Sequence, residues 1–157
     1  ETFDTLVDPG RAVPEESVRI HGITGGMLVG APLLTDVLPA FLEFAGSAVL
    51  VGHEVAFDLR FLEPEVRRLG LPSLAASHAI LDTRLLSRSL HGPGESHTLD
   101  AVAQRLGVPI AGRHSALGDA VITAEILVRL LALVQKRGIL TLGQALDAVQ
   151  SARQLTL

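Results

Sequence analysis

Two short apolar runs, each followed by a helix-forming segment, constrain the fold more strongly than any other feature. The runs "SAVLVGH" (47–53) and "HAILDT" (78–83) are bounded by glycine or polar residues. Continuous apolar runs of this length are typical of strands that are buried on both faces. Helical patterns follow them over 57–69 and 84–90. Strands that alternate with helices predict an α/β domain, in which helices pack against a sheet.

The other segments of the chain extend this prediction. "ETFDTLVDP" alternates apolar and polar residues over a short stretch and predicts a strand that ends at Pro9-Gly10, and 11–24 predicts a loop with one short helical turn. Four more helices are expected from their apolar spacing and their capping residues: 33–45, the segment after Thr98, Ser115 to Arg137, and the segment after Thr141.

Composition narrows the classes of protein that are compatible with the sequence. The 157 residues suit one domain, and 48% hydrophobic with 19% charged residues is a globular composition. A net charge of −4 argues against a protein that coats nucleic acid by bulk electrostatics, but not against an enzyme that grips a strand end. The absence of cysteine excludes disulfides and thiolate metal sites. No apolar run approaches the roughly 20 residues of a membrane span, so a cytoplasmic protein is expected.

One acid lies close to the apolar side of the long helix over 115–137. Asp119 shares a face with Ile126 and Leu130, because the three are separated by seven and four residues. A bare carboxylate on such a face is costly unless it is paired, protonated or bound to a cation. The helix alone leaves two interpretations open: an acid that the helix dipole favours in a first turn, or a functional ligand.

Two further polar residues lie at the junctions where active sites of α/β proteins form. Asp58 opens the helix that follows the first buried run, and His114 precedes Asp119 in an H-x4-D spacing. Ligands in such folds bind outside the carboxyl ends of the strands. Each residue by itself is weak support for a site, since acids in a first helical turn and surface histidines are common.

Taken together, these residues belong to longer motifs. "VLVGHEVAFDLRFL" (49–62) and "HSALGDAVITAEIL" (114–127) resemble the second and third motifs of the DEDDh family of 3′–5′ exonucleases, which includes the proofreading subunit of bacterial DNA polymerase III. The resemblance implies a ribonuclease H-like mixed sheet flanked by helices, in an exonuclease-like domain over 1–137. The segment 138–157 is then an extra C-terminal helix, with a link to another domain as one option.

The resemblance also implies a chemistry and its residues. The family hydrolyses phosphodiester bonds at the 3′ end of nucleic acid and releases nucleoside 5′-monophosphates, using two divalent ions, Mg²⁺ or Mn²⁺. Asp58 and Asp119 match the second and third acidic metal ligands, and His114 matches the general base that takes a proton from the attacking water. Single-stranded DNA is the expected substrate, with RNA as an alternative, and a polymerase or a fused C-terminal domain is the expected partner.

Contacts with substrate follow from the same resemblance. His21, Gly22 and Ile23 resemble the family's loop on the terminal nucleotide, and Phe57 matches a position against the sugar or base. Plain core packing is an equal alternative for Phe57 and Ile23. Glu54 stands where the second motif usually has Asn, which leaves that position's hydrogen bond in doubt.

The first motif of the family, D-x-E, is absent from the 157 residues. In the family it lies on the central strand and supplies two of the four acids. We therefore expect an N-terminally truncated domain whose sheet lacks that strand, and which is inactive alone because it binds metal weakly. The alternative is a non-catalytic module of a larger protein that binds nucleic acid or a nucleotide.

Overall fold

The computed structural model describes residues 1–154, in which helices surround a small parallel sheet. The strands are Leu50–Gly52 (β1) and Ile80–Asp82 (β2), and a 3-10 turn covers Gly25–Leu28. The helices are Glu15–His21 (α1), Leu34–Ala45 (α2), Ala56–Arg68 (α3), Leu74–Ser77 (α4), Thr83–His91 (α5), Leu99–Leu106 (α6), Ala116–Lys136 (α7) and Leu142–Gln154 (α8). The predicted α/β class, with helices flanking a sheet, is confirmed.

The two strands pair in parallel, and both are shorter than predicted. Leu50 pairs with Ile80, Val51 with Leu81 and Gly52 with Asp82. Beyond Gly52 the chain turns at once into α3, so the apolar run 47–53 yields three strand residues. Because both strands end at the same level of the sheet, the first turns of α3 and α5 emerge side by side.

The predicted strand at the start of the chain is wrong. The first nine residues make only an isolated bridge between Asp8 and Leu33, in which the Asp8 N–H donates to the Pro32 carbonyl at 2.9 Å. Phe3 packs against Phe41 and Phe44 of α2, with ring centroids 6.0 and 5.5 Å away. No strand among the described residues pairs with this segment, and its half-buried Phe3 packs on a helix instead.

The predicted helices form with nearly the expected bounds, because their capping residues act as caps. The Thr98 hydroxyl accepts the Ala101 N–H at the start of α6, and the Ser115 hydroxyl accepts the Gly118 N–H at the start of α7. Gly107 ends α6 in the left-handed conformation that glycine tolerates best. The short helix α4 was not expected from the sequence.

Two apolar clusters hold the helices. The larger one joins β2, α5, α6, α7 and α8, and α7 contributes Ile122, Ile126, Leu130 and Val134 at helical spacing. The smaller cluster joins α2, α3 and α4 through Leu38, Val66 and Leu74. Helix α8 packs against the larger cluster through Ala145 and Val149, while the division of the chain at residue 137 stays a prediction. No helix within residues 1–154 has the length and apolar character that a membrane span requires.

Asp82 joins the two strand-to-helix turns. Its buried carboxylate accepts the backbone N–H groups of Arg84 and Leu85 at the start of α5, at 2.9 and 3.2 Å. The same carboxylate accepts the N–H groups of Glu54 and Val55, at 3.2 and 3.1 Å, in the turn before α3. One side chain therefore caps its own helix and fixes the neighbouring turn.

We expect Asp82→Ala to lower the free energy of unfolding by about 3 kcal/mol, since a hydrogen bond to a charged group contributes about 1.5–3 kcal/mol and the donors are left without this acceptor. Urea unfolding followed by circular dichroism measures the change. Asp36→Ala, which removes an exposed acid from the first turn of α2, is the matched control, with an expected loss below about 1 kcal/mol. Equal losses in the two variants would contradict the role of Asp82.

Candidate active site

A cleft of about 630 Å³ opens at the carboxyl ends of β1 and β2. Phe57 and Asp58, in the first turn of α3, line one side, and Asp119, in the first turn of α7, lines another. Arg84 and Arg113 line the same cleft. The fold thus brings Asp58 and Asp119, which are 61 positions apart in sequence, into one cleft.

Asp58 carries a carboxyl group whose ionisation the surroundings oppose. Burial raises the pKa of Asp58 above its ordinary value, and the negative charge of Asp82 raises it further. The backbone N–H of Asp58 itself opposes this shift. No arginine, lysine or histidine within residues 1–154 forms an ion pair with Asp58. A cation in the cleft would therefore offset the electrostatic cost of ionising Asp58.

Asp119 has a different environment, because a guanidinium already neutralises it. Arg113 Nη1 donates to Asp119 Oδ1 at 2.6 Å, and the Asp119 side chain is 36% exposed. Asp119 is half-buried at the edge of the face formed by Ile122 and Ile126, as the sequence indicated. Sequence reasoning missed Arg113. Its position immediately before His114 was the only available signal.

His114 lies on the tight loop that leads into α7. Its backbone φ is +68°, a left-handed conformation that is uncommon for a residue other than glycine. The side chain is exposed and does not line the cleft, whereas the adjacent Arg113 does. The charge of His114 is close enough to Asp100 to contribute to the lowered pKa of that carboxyl, whose main cause is the hydrogen bond from Arg113.

Gly118 holds the His114 loop against the first turn of α7. The Ser115 hydroxyl donates to the Gly112 carbonyl at 2.7 Å, which closes the loop. A Cβ on Gly118 would overlap the Gly112 carbonyl oxygen and lie 2.6 Å from its carbon. The loop and the helix can approach this closely only because residue 118 has no side chain.

Phe57 is 56% exposed, so core packing, the alternative left open by the sequence, is wrong for this residue. Its ring lies edge-on to that of Phe61, with centroids 5.0 Å apart. The Arg60 guanidinium lies 5.2 Å from both ring centroids. An aromatic face with a cation beside it suits the stacking of a nucleotide base.

His21, Gly22 and Ile23 lie at the end of α1 and do not line this cleft. His21 Nδ1 accepts the Ile23 N–H at 3.0 Å, and Gly22 ends the helix with φ +74°. His21 and Ile23 line a separate cavity of about 340 Å³, together with residues of the first segment of the chain such as Leu6. Their contact with a terminal nucleotide stays a prediction.

His53 is held as a structural group on the cleft wall. Its Nε2 donates to the His97 carbonyl at 2.9 Å, and its Nδ1 lies 2.9 Å from the Thr83 hydroxyl. Burial lowers the pKa of His53 and favours the neutral ring, while the Thr83 hydroxyl also donates to the Gly52 carbonyl at 3.2 Å.

Glu54 follows His53 and has φ +68°, a conformation that Asn adopts more readily than Glu. Its carboxylate pairs with Arg84 at 2.5 Å, an exposed contact that stands in place of any hydrogen bond from an Asn side chain.

The chemistry of the cleft fits a divalent cation, but the ligand set is small. Hard cations prefer oxygen ligands, and Asp58 and Asp119 supply two carboxylates to one cleft. Within residues 1–154, no cluster of three or more histidine, aspartate or glutamate side chains is arranged to hold a metal ion. The two carboxylates can therefore contribute to a metal site but do not complete one.

Comparison with known proteins gives consistent results. Residues 1–127 match the sequence model of the exonuclease (RNase T) family. The chain is 44% identical to a DNA polymerase III subunit epsilon-like protein of Rhodobacter capsulatus, over 99% of the chain and 22% of that protein. It is 38% identical to the DNA polymerase III subunit epsilon of Aquifex aeolicus, over 83% of the chain and 64% of that protein.

A solved structure has a similar fold. It is exonuclease X in complex with 5′ overhanging duplex DNA, which matches with a TM-score of 0.68 and 28% identity. The match covers 92% of this chain and 78% of that one. The predicted ribonuclease H-like arrangement of an exonuclease is thereby confirmed at the level of the fold.

We expect Gly118→Ala to lower the free energy of unfolding by about 1–3 kcal/mol, because the added methyl group pushes the His114 loop away from α7. Urea unfolding measures the loss, and ¹⁵N spectra should show the largest amide shifts at 112–115. Gly143→Ala is the control: this glycine is in the first turn of α8, a Cβ there meets only the Thr141 hydroxyl at 4.0 Å, and a slight gain in stability is expected. Equal behaviour of the two variants would contradict the close approach.

Asp58→Asn should make the protein more stable than wild type near neutral pH. The raised pKa means that the folded state binds this proton more tightly than the unfolded state does, so wild-type stability falls as pH rises through the ordinary and then the raised value. Asp58→Asn does not lose stability in this way, because it has no proton to release. Its greater stability should vanish in acid, where the wild-type carboxyl is protonated in both the folded and the unfolded state. Thermal unfolding across the acidic to neutral range measures it, with Asp36→Asn as the control for loss of one charge. An advantage independent of pH would contradict the prediction.

Proposed function

Because the chain belongs to the exonuclease family, we propose that it contributes the catalytic cleft of a 3′–5′ exonuclease, which releases nucleoside 5′-monophosphates from the 3′ end of DNA. One observation supports this most directly: Phe57, Asp58 and Asp119 line a single cleft at the carboxyl ends of the two strands. The name of the Aquifex aeolicus relative and the DNA in the exonuclease X complex support DNA rather than RNA as substrate.

Asp58 and Asp119 would hold divalent ions, Mg²⁺ or Mn²⁺, in a two-metal mechanism. Such ions polarise the scissile phosphate and favour ionisation of the attacking water. Asp58 is suited to this role because its carboxylate is partly buried beside the negative Asp82 without a cation of its own. The contribution of this chain is then to place two carboxylates on the rigid first turns of α3 and α7.

His114 would accept the proton of the attacking water, since an imidazole titrates near neutral pH. Its loop is fixed to α7 by the approach of Gly112 to Gly118, and its exposed side chain would have to turn into the cleft to reach the water. Phe57 would pack against the terminal base or sugar, with its exposed face available for stacking. Contacts from His21, Gly22 and Ile23 require that the nucleic acid also reach the separate cavity by α1.

Two more carboxylates from a D-x-E motif would complete the site, and we propose that the 157 residues alone do not cleave. A polymerase or a fused domain is the expected partner, and the cytoplasmic location stays a prediction. Within residues 1–154, no group of three or more histidine, aspartate or glutamate side chains is arranged to hold a metal ion, which also favours one alternative, a non-catalytic module that binds nucleic acid or a nucleotide.

Incubation of the purified chain with a 5′-labelled single-stranded oligonucleotide and Mn²⁺ tests the proposal. No cleavage is expected from the 157 residues, while a chain extended at its N-terminus by a segment with D-x-E should shorten the oligonucleotide from its 3′ end. Asp58→Ala, Asp119→Ala and addition of EDTA should each abolish that activity. Asp36→Ala, far from the cleft on α2, is the matched control and should retain it.

The outcomes separate the two functions. Cleavage by the 157 residues alone, absent with Asp119→Ala and EDTA, would show that the carboxylates already present in the cleft suffice. An extended chain that binds the oligonucleotide without cleaving it would overturn the exonuclease proposal in favour of the binding module.

A further inference from the structure

Arg113 connects three parts of the candidate site. Its Nε donates to Asp100 Oδ1 at 2.5 Å, and its Nη2 approaches Asp100 Oδ2 at 3.4 Å. Its Nη1 donates to Asp119 Oδ1 at 2.6 Å. Asp100 is in the first turn of α6, Asp119 is in the first turn of α7, and Arg113 precedes His114 on the loop between them. One guanidinium thus contacts two carboxylates of different helices.

The contact with Asp119 bears directly on cation binding. A guanidinium that donates to a carboxylate oxygen occupies a position where a divalent ion would coordinate, and the two positive charges repel each other at that distance. Both side chains are partly enclosed, with Arg113 24% and Asp119 36% exposed, so solvent screens this repulsion only in part. Either cation can neutralise Asp119, but the two compete for it.

We propose that Arg113 is the resident cation of Asp119, and that a divalent ion reaches Asp119 by displacing Nη1 while Asp100 retains the guanidinium. Binding of the ion is then an exchange of one cation for another rather than the filling of an open site. This inference rests on the proposed function, because it concerns the metal ligand Asp119. Arg113 is a positioning residue in this scheme, since it acts through Asp119 and Asp100.

The geometry explains why the guanidinium stays near the cleft after the exchange. Two of its nitrogens face the Asp100 carboxylate and one faces Asp119. An ion that binds Asp119 therefore removes one contact of the guanidinium and leaves the two contacts with Asp100.

Arg113→Gln should bind Mn²⁺ more tightly than wild type, because the competing cation is gone. Arg84→Gln is the matched control: Arg84 lines the same cleft and loses the same charge, but it pairs with Glu54 instead of Asp119. We expect about a fivefold lower dissociation constant for Arg113→Gln, the size of a partly exposed ion pair, and less than a twofold change for Arg84→Gln.

Titration of the ¹⁵N-labelled 157-residue chain with Mn²⁺ measures these constants without any catalytic assay. Paramagnetic broadening of the Asp58 and Asp119 amide signals reports the site, and Asp119→Asn should weaken it. The dispersion of each spectrum also shows whether each variant is folded. Equal tightening in Arg113→Gln and Arg84→Gln would overturn the inference in favour of general electrostatics, and no tightening in Arg113→Gln would overturn it outright.

A second measurement on the wild-type chain does not depend on any variant. On titration with Mg²⁺, the Arg113 Nη1 signals should change with the same midpoint as the Asp119 amide, while Nε, which faces Asp100, changes little. A shift of Asp119 with no change at Nη1 would overturn the exchange. Absence of any ion effect at both Asp58 and Asp119 in every variant would overturn the inference for this chain, while the proposed metal site is judged separately by the cleavage assay on the extended chain. An ion effect that Arg113→Gln leaves unchanged would overturn the inference alone.

Discussion

The arrangement of the cleft depends on the carboxylate of Asp82. A buried charge is tolerated only where hydrogen bonds compensate for its lost hydration, and here four backbone N–H groups do so. Two belong to its own helix and two to the turn before α3. Within residues 1–154 the sheet has two short strands with few hydrogen bonds between them. This carboxylate therefore provides a further link between the two strand-to-helix turns. It fixes where α3 begins, and therefore where Phe57 and Asp58 lie.

Local signals in the sequence were sufficient for most of the fold. Thr98 and Ser115 cap the helices that their positions predicted, and the apolar spacing of α7 predicted its buried face. The strand expected over the first nine residues failed for a physical reason: alternation specifies two faces, but a strand also needs a neighbour to pair with. Phe3 found an apolar partner on α2 instead. A pattern within one segment contains no information about which partner is present.

The candidate site was predictable in part. Asp58 and Asp119 were weak candidates alone and were identified because the motifs that contain them resemble those of the DEDDh exonucleases, and they do share a cleft. Arg113 was missed because an arginine in a loop has no such signature, and its role depends on Asp100, thirteen residues away. His21 and Ile23 line a different cavity, which depends on how α1 packs rather than on any local pattern. The ion pairs of Arg113 involve acids on two separate helices, so only the folded structure shows them.

The contact between Gly112 and Gly118 leaves no space between the loop and the start of α7. Because the backbone of Gly112 is in contact with the backbone of Gly118, a movement of the helix start displaces the loop as well. His114 is on this loop and Asp119 is in the first turn of α7, so the backbones of the two residues should move together. A ligand that draws the start of α7 inward would also move the backbone of residue 114, so the backbone sets the separation of these two Cα atoms, and the rotamers of His114 and Asp119 set the distance between their side chains.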